Sequence, residues 1–281
     1  MNKKKILKQI KKDLIDFLKK WNYDDKVWPM GKIFDTEGTM DKLFTDGEEY
    51  VKNFLRMATL HFDRELEQRS LLRKCLQRDD EAEGESEYAF EIKIEKIFTK
   101  GDPYDRVVDY LIQELEYEEN KALRTVLEKE MQDENKISGE EFNRNASEAL
   151  RYKIEGMRLP VDKFVISRDV LTDIVKHMAK VIDPIIQREL ILCGYLGNYD
   201  NTMIMTTSGF TSIEALEPGE VYGLANSQYL GIIKFTEKLA NVLEPWGKDT
   251  FKWSWSETIK IGIINPRGIA KWERYNGRTN K

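Results

Sequence analysis

Cysteine, histidine, serine and paired carboxylates carry much of enzyme catalysis, and this chain offers them in poor company. Its cysteines are Cys75 and Cys193, and its histidines His61 and His177. A cysteine nucleophile needs a neighbouring base to draw off its proton. Cys193 lies beside Gly194 among aliphatic residues with no histidine near it in sequence, so it reads as a structural thiol. Without a CxxC or a partner histidine, neither a zinc site nor a disulfide framework is expected, and a reducing, cytosolic setting is. Ser167-Arg168-Asp169 pairs a hydroxyl with a carboxylate, but the trio reads better as a strand-to-helix corner with Asp169 in the first turn. His177 lies within the helix that follows and reads as a packing residue.

General acid–base work needs two carboxylates whose surroundings push their pKa values apart. Glu118/Glu119 and Glu140/Glu141 are adjacent, yet carboxylates are so frequent here that adjacency selects nothing. Gly194, Gly197, Gly209 and Gly219 could cradle a phosphate, but no Lys-Ser/Thr follows them and no helix opens directly behind; they read as strand punctuation. Walker A, GxSxG, HExxH and GxGxxG patterns are all missing. The expectation is no catalytic, cofactor-binding or metal-binding residues, no cofactor, and no enzyme.

The elements that would position such residues are clearer. Ile6, Ile10, Leu14, Phe17 and Leu18 recur at helical spacing among lysines, an amphipathic segment suited to docking, a membrane surface or nucleic acid. Residues 21–47, with Trp21, Trp28 and Phe34 among glycines, read as loop. A helix is predicted from Glu48 to Gln77, with Val51, Phe54, Leu55, Ala58 and Phe62 on one face. The acidic tract Asp79–Glu87 reads as a solvated loop. Tyr88–Ile97 alternates as a strand. A helix of about 30 residues, some 45 Å long, is predicted next, with Asp102 as N-cap, Pro103 at the first position and Gln132 near its end. Its outer side, with Glu114, Glu116, Glu118 and Glu119, is expected to face solvent. Ser138 and Glu141 have capping-box spacing for a helix to Gly156. A strand at Lys163–Ser167 and a helix at Asp169–Lys180 follow. From Asp183 onward short strand-like runs dominate. Trp246, Trp253, Trp255 and Trp272 read as packing or subunit-interface anchors.

The chain has 281 residues, 41% hydrophobic and 34% charged, with a net charge of -5. At roughly 150 residues per domain that length allows about two domains. The composition is polar for a compact enzyme and too apolar for disorder. The net charge does not suggest a basic nucleic-acid binder. No apolar run approaches the roughly 18 residues that span a bilayer, so no membrane association is expected. The basic N-terminus lacks the continuous apolar region of a secretory signal.

Four segments in order resemble the coat proteins of tailed bacteriophages with the HK97 fold. Ala146–His177 (ASEALRYKIEG, RLPVDKFVIS, RDVLTDIVKH) resembles that family's helix, proline turn, strand and helix. Asp183–Phe210 resembles the start of its axial domain. Ala215–Gly231 (ALEPGEVYGLANSQYLG) is similar to a stretch that follows there. Lys252–Tyr275 (KWSWSETIKIGIINPRGIAKWERY) resembles the closing element of paired strands. The strand at Tyr88–Ile97 and the long helix behind it match the family's spine helix and its leading strand.

The resemblance implies a mixed α+β, HK97-like capsid fold with peripheral and axial domains, a long spine helix, an N-terminal arm and an extended loop. The implied division is an arm at 1–60, extended loop and leading strand at 61–101, and spine helix and peripheral domain at 102–190. The axial domain follows at 191–250, and 251–281 returns to the peripheral domain. The implied function is that of a major capsid protein, assembling through pentamers and hexamers into an icosahedral shell around double-stranded DNA. Its implied partners are further copies of itself, scaffolding, portal and decoration proteins, and packaged DNA bound non-specifically. The implied location is the virion capsid, assembled in the host cytoplasm. Two alternatives stand beside it: an encapsulin-like nanocompartment shell, and a nucleic-acid-binding regulatory protein using the basic N-terminal helix.

Overall fold

The computed structural model describes residues 40, 43, 48–81, 88–178, 195–199, 202–206 and 215–275. The expected N-terminal helix and loop, most of the tract Asp79–Glu87, and Cys193, Gly194 and Gly209 lie outside the described residues.

Helix α1 (Glu48–Arg69) buries Tyr50, Phe54, Met57, Ala58, Phe62 and Leu66, one apolar stripe at helical spacing. It stops earlier than its pattern predicts. Ser70 is extended, and a short helix α2 (Leu71–Cys75) restarts behind it. The reason is tertiary: Asn120, from a later helix, accepts the Leu71 N–H at 2.7 Å and so caps α2 from outside. Strand β1 (Gln77–Arg78) follows, then β2 (Tyr88–Thr99), whose alternation runs two residues beyond expectation.

Helix α3 (Tyr104–Glu130) has 27 residues and is therefore roughly 40 Å long. Its start corrects the expected cap. Pro103 is the N-cap, and the Asp102 carboxylate instead accepts the Thr99 N–H at 2.7 Å, closing the turn after β2. The expected capping box also moves. Ser138 lies in strand β3 (Lys136–Gly139), and helix α4 (Arg144–Glu155) is capped by Asn143, which accepts the Ala146 N–H. Pairing with the last described strand claims Ser138 for a sheet. Next come β4 (Val161–Ile166), α5 (Arg168–Met178), β5 (Tyr195–Tyr199), β6 (Thr202–Thr206) and β7 (Glu220–Ala225). The described chain closes with α6 (Ser227–Leu230), β8 (Gly231–Pro245), β9 (Thr250–Ile263) and β10 (Ile269–Arg274).

The strands form two mixed sheets, in the orders β1-β8-β9-β2 and β3-β10-β7-β4-β6-β5. The fold class is thus mixed α+β, as expected. Strand β9 pairs antiparallel with β2 on one side and β8 on the other. The segment Lys252–Tyr275, expected as paired strands, divides instead between the sheets: β9 belongs to the first and β10 to the second. The residue 250 at which a domain boundary was implied opens β9 behind the β8–β9 turn, so strands of one sheet lie on either side of it.

One face of the four-stranded sheet is packed by α1 and α3. The six-stranded sheet carries α4 and α5 over Phe164, Ile166, Val221 and Trp272 on one face. Its other face, with Val165, Met205, Tyr222 and Leu224, joins the core that α3 shares with the first sheet. Burying both faces explains why every residue of β7 is inaccessible.

Candidate functional site

The residues flagged for chemistry are dispersed by the fold and held in structural roles. Ser167, wholly buried, donates to Asp169 Oδ1 at 2.7 Å and accepts the Gly219 N–H at 3.1 Å. Asp169 accepts the same Gly219 N–H at 2.9 Å and pairs with Arg274 at 2.7 Å. Burial works to raise the Asp169 pKa, but the Gly219 N–H, the Ser167 hydroxyl and Arg274 together hold it below the usual carboxylate range. The trio is a corner that locks α5 to the β7 entrance and the end of β10.

Gly219 sits at φ +85°, and a Cβ there would lie 2.8 Å from the Arg274 Cβ. Gly219→Ala is therefore expected to cost on the order of 1–2 kcal/mol or more. The urea midpoint should fall with an unchanged m-value; an unchanged midpoint would refute the lock.

Cys75 is fully buried and its thiol is pushed up by that burial, the opposite of an activated nucleophile. His61, on α1, is lowered by burial and edges onto Phe62. His177 falls within α5, far along the chain from His61. Glu118 pairs with exposed Lys121, whereas Glu119 turns inward. Glu140 and Glu141 line an open groove of about 600 Å³ beside Ser138, Asn143 and Trp272. Among the described residues no group of three or more metal-ligating side chains converges, and no helix is long and apolar enough to cross a membrane.

What the fold does assemble lies along α3, and it corrects the expected solvent-facing acidic side. Glu116 and Glu119 are buried, meeting Arg69 at 2.9 Å and Arg73 at 2.8 Å. Arg73 also reaches Asp63 at 2.6 Å, Glu67 at 3.3 Å and Glu257 of β9 at 3.3 Å. Its guanidinium stands 4.7 Å from the centre of the Phe235 ring. Two turns further along α3, Arg124 and Glu128 engage the six-stranded sheet. Arg124 holds Glu220 at 3.0 Å, and buried Lys271 bridges Glu128 at 2.9 Å and Glu220 at 2.8 Å. Burial, and then the hydrogen bond that its hydroxyl donates to Glu128 at 2.5 Å, pushes the Tyr222 phenol well above its ordinary range. One helix is thus tied by charged contacts to both sheets, through Arg73 to the first and directly to the second.

Sequence reading missed these clusters because acidic residues on a helix are ordinarily solvated. One signal was available. In β9 the buried positions are Phe251, Trp253, Trp255, Glu257, Ile259 and Ile261, a strict period of two in which Glu257 alone is charged. A carboxylate in the apolar phase of a strand requires a buried partner.

The open face of the four-stranded sheet is different in character. Lys252 lies opposite Ile97 on β2, pairs with Glu95 at 3.1 Å, and holds its ammonium 5.2 Å from the Trp246 ring centre. Val242 lies opposite Ser254 beside them. Trp246 is 59% exposed, so the far end of the β8–β9 hairpin presents Ile97, Val242 and Trp246 to solvent within a charged surround. Of the four C-terminal tryptophans, Trp253, Trp255 and Trp272 are core residues, and Trp246 faces outward. Further exposed apolar residues stand elsewhere: Tyr152 and Met157 about α4, Tyr229 and Ile264 near α6.

No family model matches the chain. No curated protein matches it either. Among solved structures it is similar to a chain of Mycobacterium phage Adephagia, at 11% identity and a TM-score of 0.47, over 74% of this chain and 91% of that one. It is also similar to the virus-like particle from Pyrococcus furiosus, at 17% identity and a TM-score of 0.43, over 78% and 98% of the two chains. A third likeness, at 8% identity and a TM-score of 0.44, is to the holo-SrpI encapsulin complex from Synechococcus elongatus, over 66% of this chain and 73% of that one.

Proposed function

We propose that the chain is a shell-forming coat subunit of the HK97 type, a major capsid protein that closes into pentamers and hexamers around double-stranded DNA. The observation that carries the reading is the arrangement of α3. A 27-residue helix is tied through Arg73 to Glu257 of the four-stranded sheet and directly, by Arg124–Glu220 and Glu128–Lys271, to the six-stranded one, which joins the three into one plate. Apolar side chains are offered to solvent at several distinct places on that plate, at the hairpin end, at α4 and at α6. A subunit that contacts several neighbours at once needs that distribution, because a single patch gives only a dimer or one ring. The side chains with chemistry, Ser167, Asp169 and Cys75, are committed to structure.

The four-stranded sheet with α1 and α3 would be the peripheral body, and the six-stranded sheet with α4 and α5 the axial one. This division follows the sheets rather than residues 190 and 250. The arm would fall within residues 1–60, as the resemblance implies. Scaffolding, portal and decoration proteins would be its partners, and the virion, assembled in host cytoplasm, its location.

Negative-stain electron microscopy of the purified protein, with light scattering on the same sample, tests this. Closed shells, or rings of five and six subunits, are expected. A monodisperse monomer or dimer across salt and concentration, with candidate scaffold added, would overturn the reading. The contents of any shell decide its kind: DNA supports a virion, whereas protein cargo supports a nanocompartment.

A further inference from the structure

We propose that the junction of α2, α3 and β9 holds a shared proton, with Glu257 standing as a neutral acid that donates to Glu119, and that this proton makes the junction a pH-sensitive latch between the helices and the hairpin sheet. The inference concerns the single subunit and holds whatever the subunit assembles into.

Arg73, Glu119 and Glu257 are sealed from solvent, their side chains 2%, 0% and 0% exposed. Glu119 takes the guanidinium from two sides, Nε at 2.9 Å and Nη2 at 2.8 Å. Glu257 receives only the longer Nη2 contact, 3.3 Å at Oε2, and its buried Oε1 has no hydrogen-bond partner. Two ionised carboxylates against one guanidinium would leave a net negative charge in a dry pocket, among the costliest arrangements in a protein interior. A proton on Glu257 removes that charge and turns the orphaned carboxyl into a donor with an ionised acceptor beside it. Glu257, with the weaker hold on Arg73, is the carboxylate that keeps it.

The surroundings favour the neutral acid. From α1, Asp63 and Glu67 both draw on Arg73 and add negative potential. From α3, Glu116 is engaged by Arg69 and feels Lys74 of α2. From β1, Arg78 turns to Glu67 and Asp80. From β8 the approach is the Phe235 ring, shared by Arg73 and Arg78. On the sheet itself Glu257 faces Ile92 across the β2 pairing and shares its side of β9 with Trp255 and Ile259. Burial first, then the Glu119 charge, pushes Glu257 up to about 9 against the pull of Arg73. The folded chain therefore keeps a proton that the unfolded chain releases above the ordinary 4.5. Stability falls as pH rises from that value toward the folded pKa, and levels off above it.

The test compares unfolding of the unmodified protein and Glu257→Gln between about pH 6 and 10. The amide reproduces the neutral acid's donor without its titration. The ratio of the two folding equilibrium constants should widen in the variant's favour by up to about tenfold per pH unit below the folded pKa, then stop. Parallel pH profiles would overturn the proposal, and so would a glutamine variant that fails to fold. Infrared spectra of the unmodified protein in D2O at neutral pH supply the second reading. A protonated carboxyl carbonyl band should be present and vanish on raising the pH; a spectrum without it removes the shared proton.

Discussion

Arg73→Met is expected to cost about 3–5 kcal/mol, the effect of stripping the partner from a buried charge. Methionine fills much of the same space, so the loss is electrostatic rather than a cavity. Glu119 would be left wholly buried without its guanidinium, and Asp63 and Glu67 would lose the cation that draws α1 toward α2. In a chain of this length the change corresponds to roughly 10 °C in melting temperature. Differential scanning calorimetry reads it directly. The added change Glu119→Leu should recover part of the loss, because an apolar pair is often as stable as the buried ion pair it replaces. A melting temperature within about 2 °C of the unmodified protein would show that water reaches the site and that the cluster contributes little.

Trp253→Ala should be comparably severe, about 3–5 kcal/mol, through a different mechanism. The ring is fully buried against Phe54 at 5.5 Å, Phe62 at 5.8 Å and Trp255 at 5.3 Å between centres. Its removal opens a cavity where α1 meets β9. The indole N–H also donates to Asn241 Oδ1 at 2.9 Å, and that amide donates in turn to the Leu55 carbonyl and Thr59 hydroxyl of α1. Trp253→Phe keeps most of the packing and drops this bond, so it should cost only about 1–2 kcal/mol. Equal losses from alanine and phenylalanine would place the energy in the polar relay rather than in the packing. Hydrogen exchange should show α1 loosening first in the alanine variant.

Much of the scaffold was readable where one element buries one face. The long helix predicted behind Pro103 and the alternation from Tyr88 marked α3 and β2, because solvent on one side and core on the other imposes a period. Reading failed where a distant residue decided a local outcome. Ser70 breaks a helix whose pattern continues, since Asn120 is there to cap the next. Ser138 has capping-box spacing but is taken into a sheet by β10. Glu116 and Glu119 looked solvated, but Arg69 of α1 and Arg73 of α2 meet them in the interior. The exposed end of the hairpin was partly legible, for Trp246 stood among the tryptophans read as anchors, but no local pattern separated it from its three buried companions.

The pairing of β2 with β9 also sets a timetable. Tyr88 lies opposite Ile261 and Thr99 opposite Thr250, partners more than half the chain apart. During synthesis the ribosome releases β2 and α3 long before β9 exists, so their apolar faces wait uncovered until β9 has been made. Contacts so remote in sequence make for slow closure and for a growing chain that invites misassociation. The hairpin end that carries Trp246 forms only with β8 and β9, so that outward surface appears only once those strands have been made.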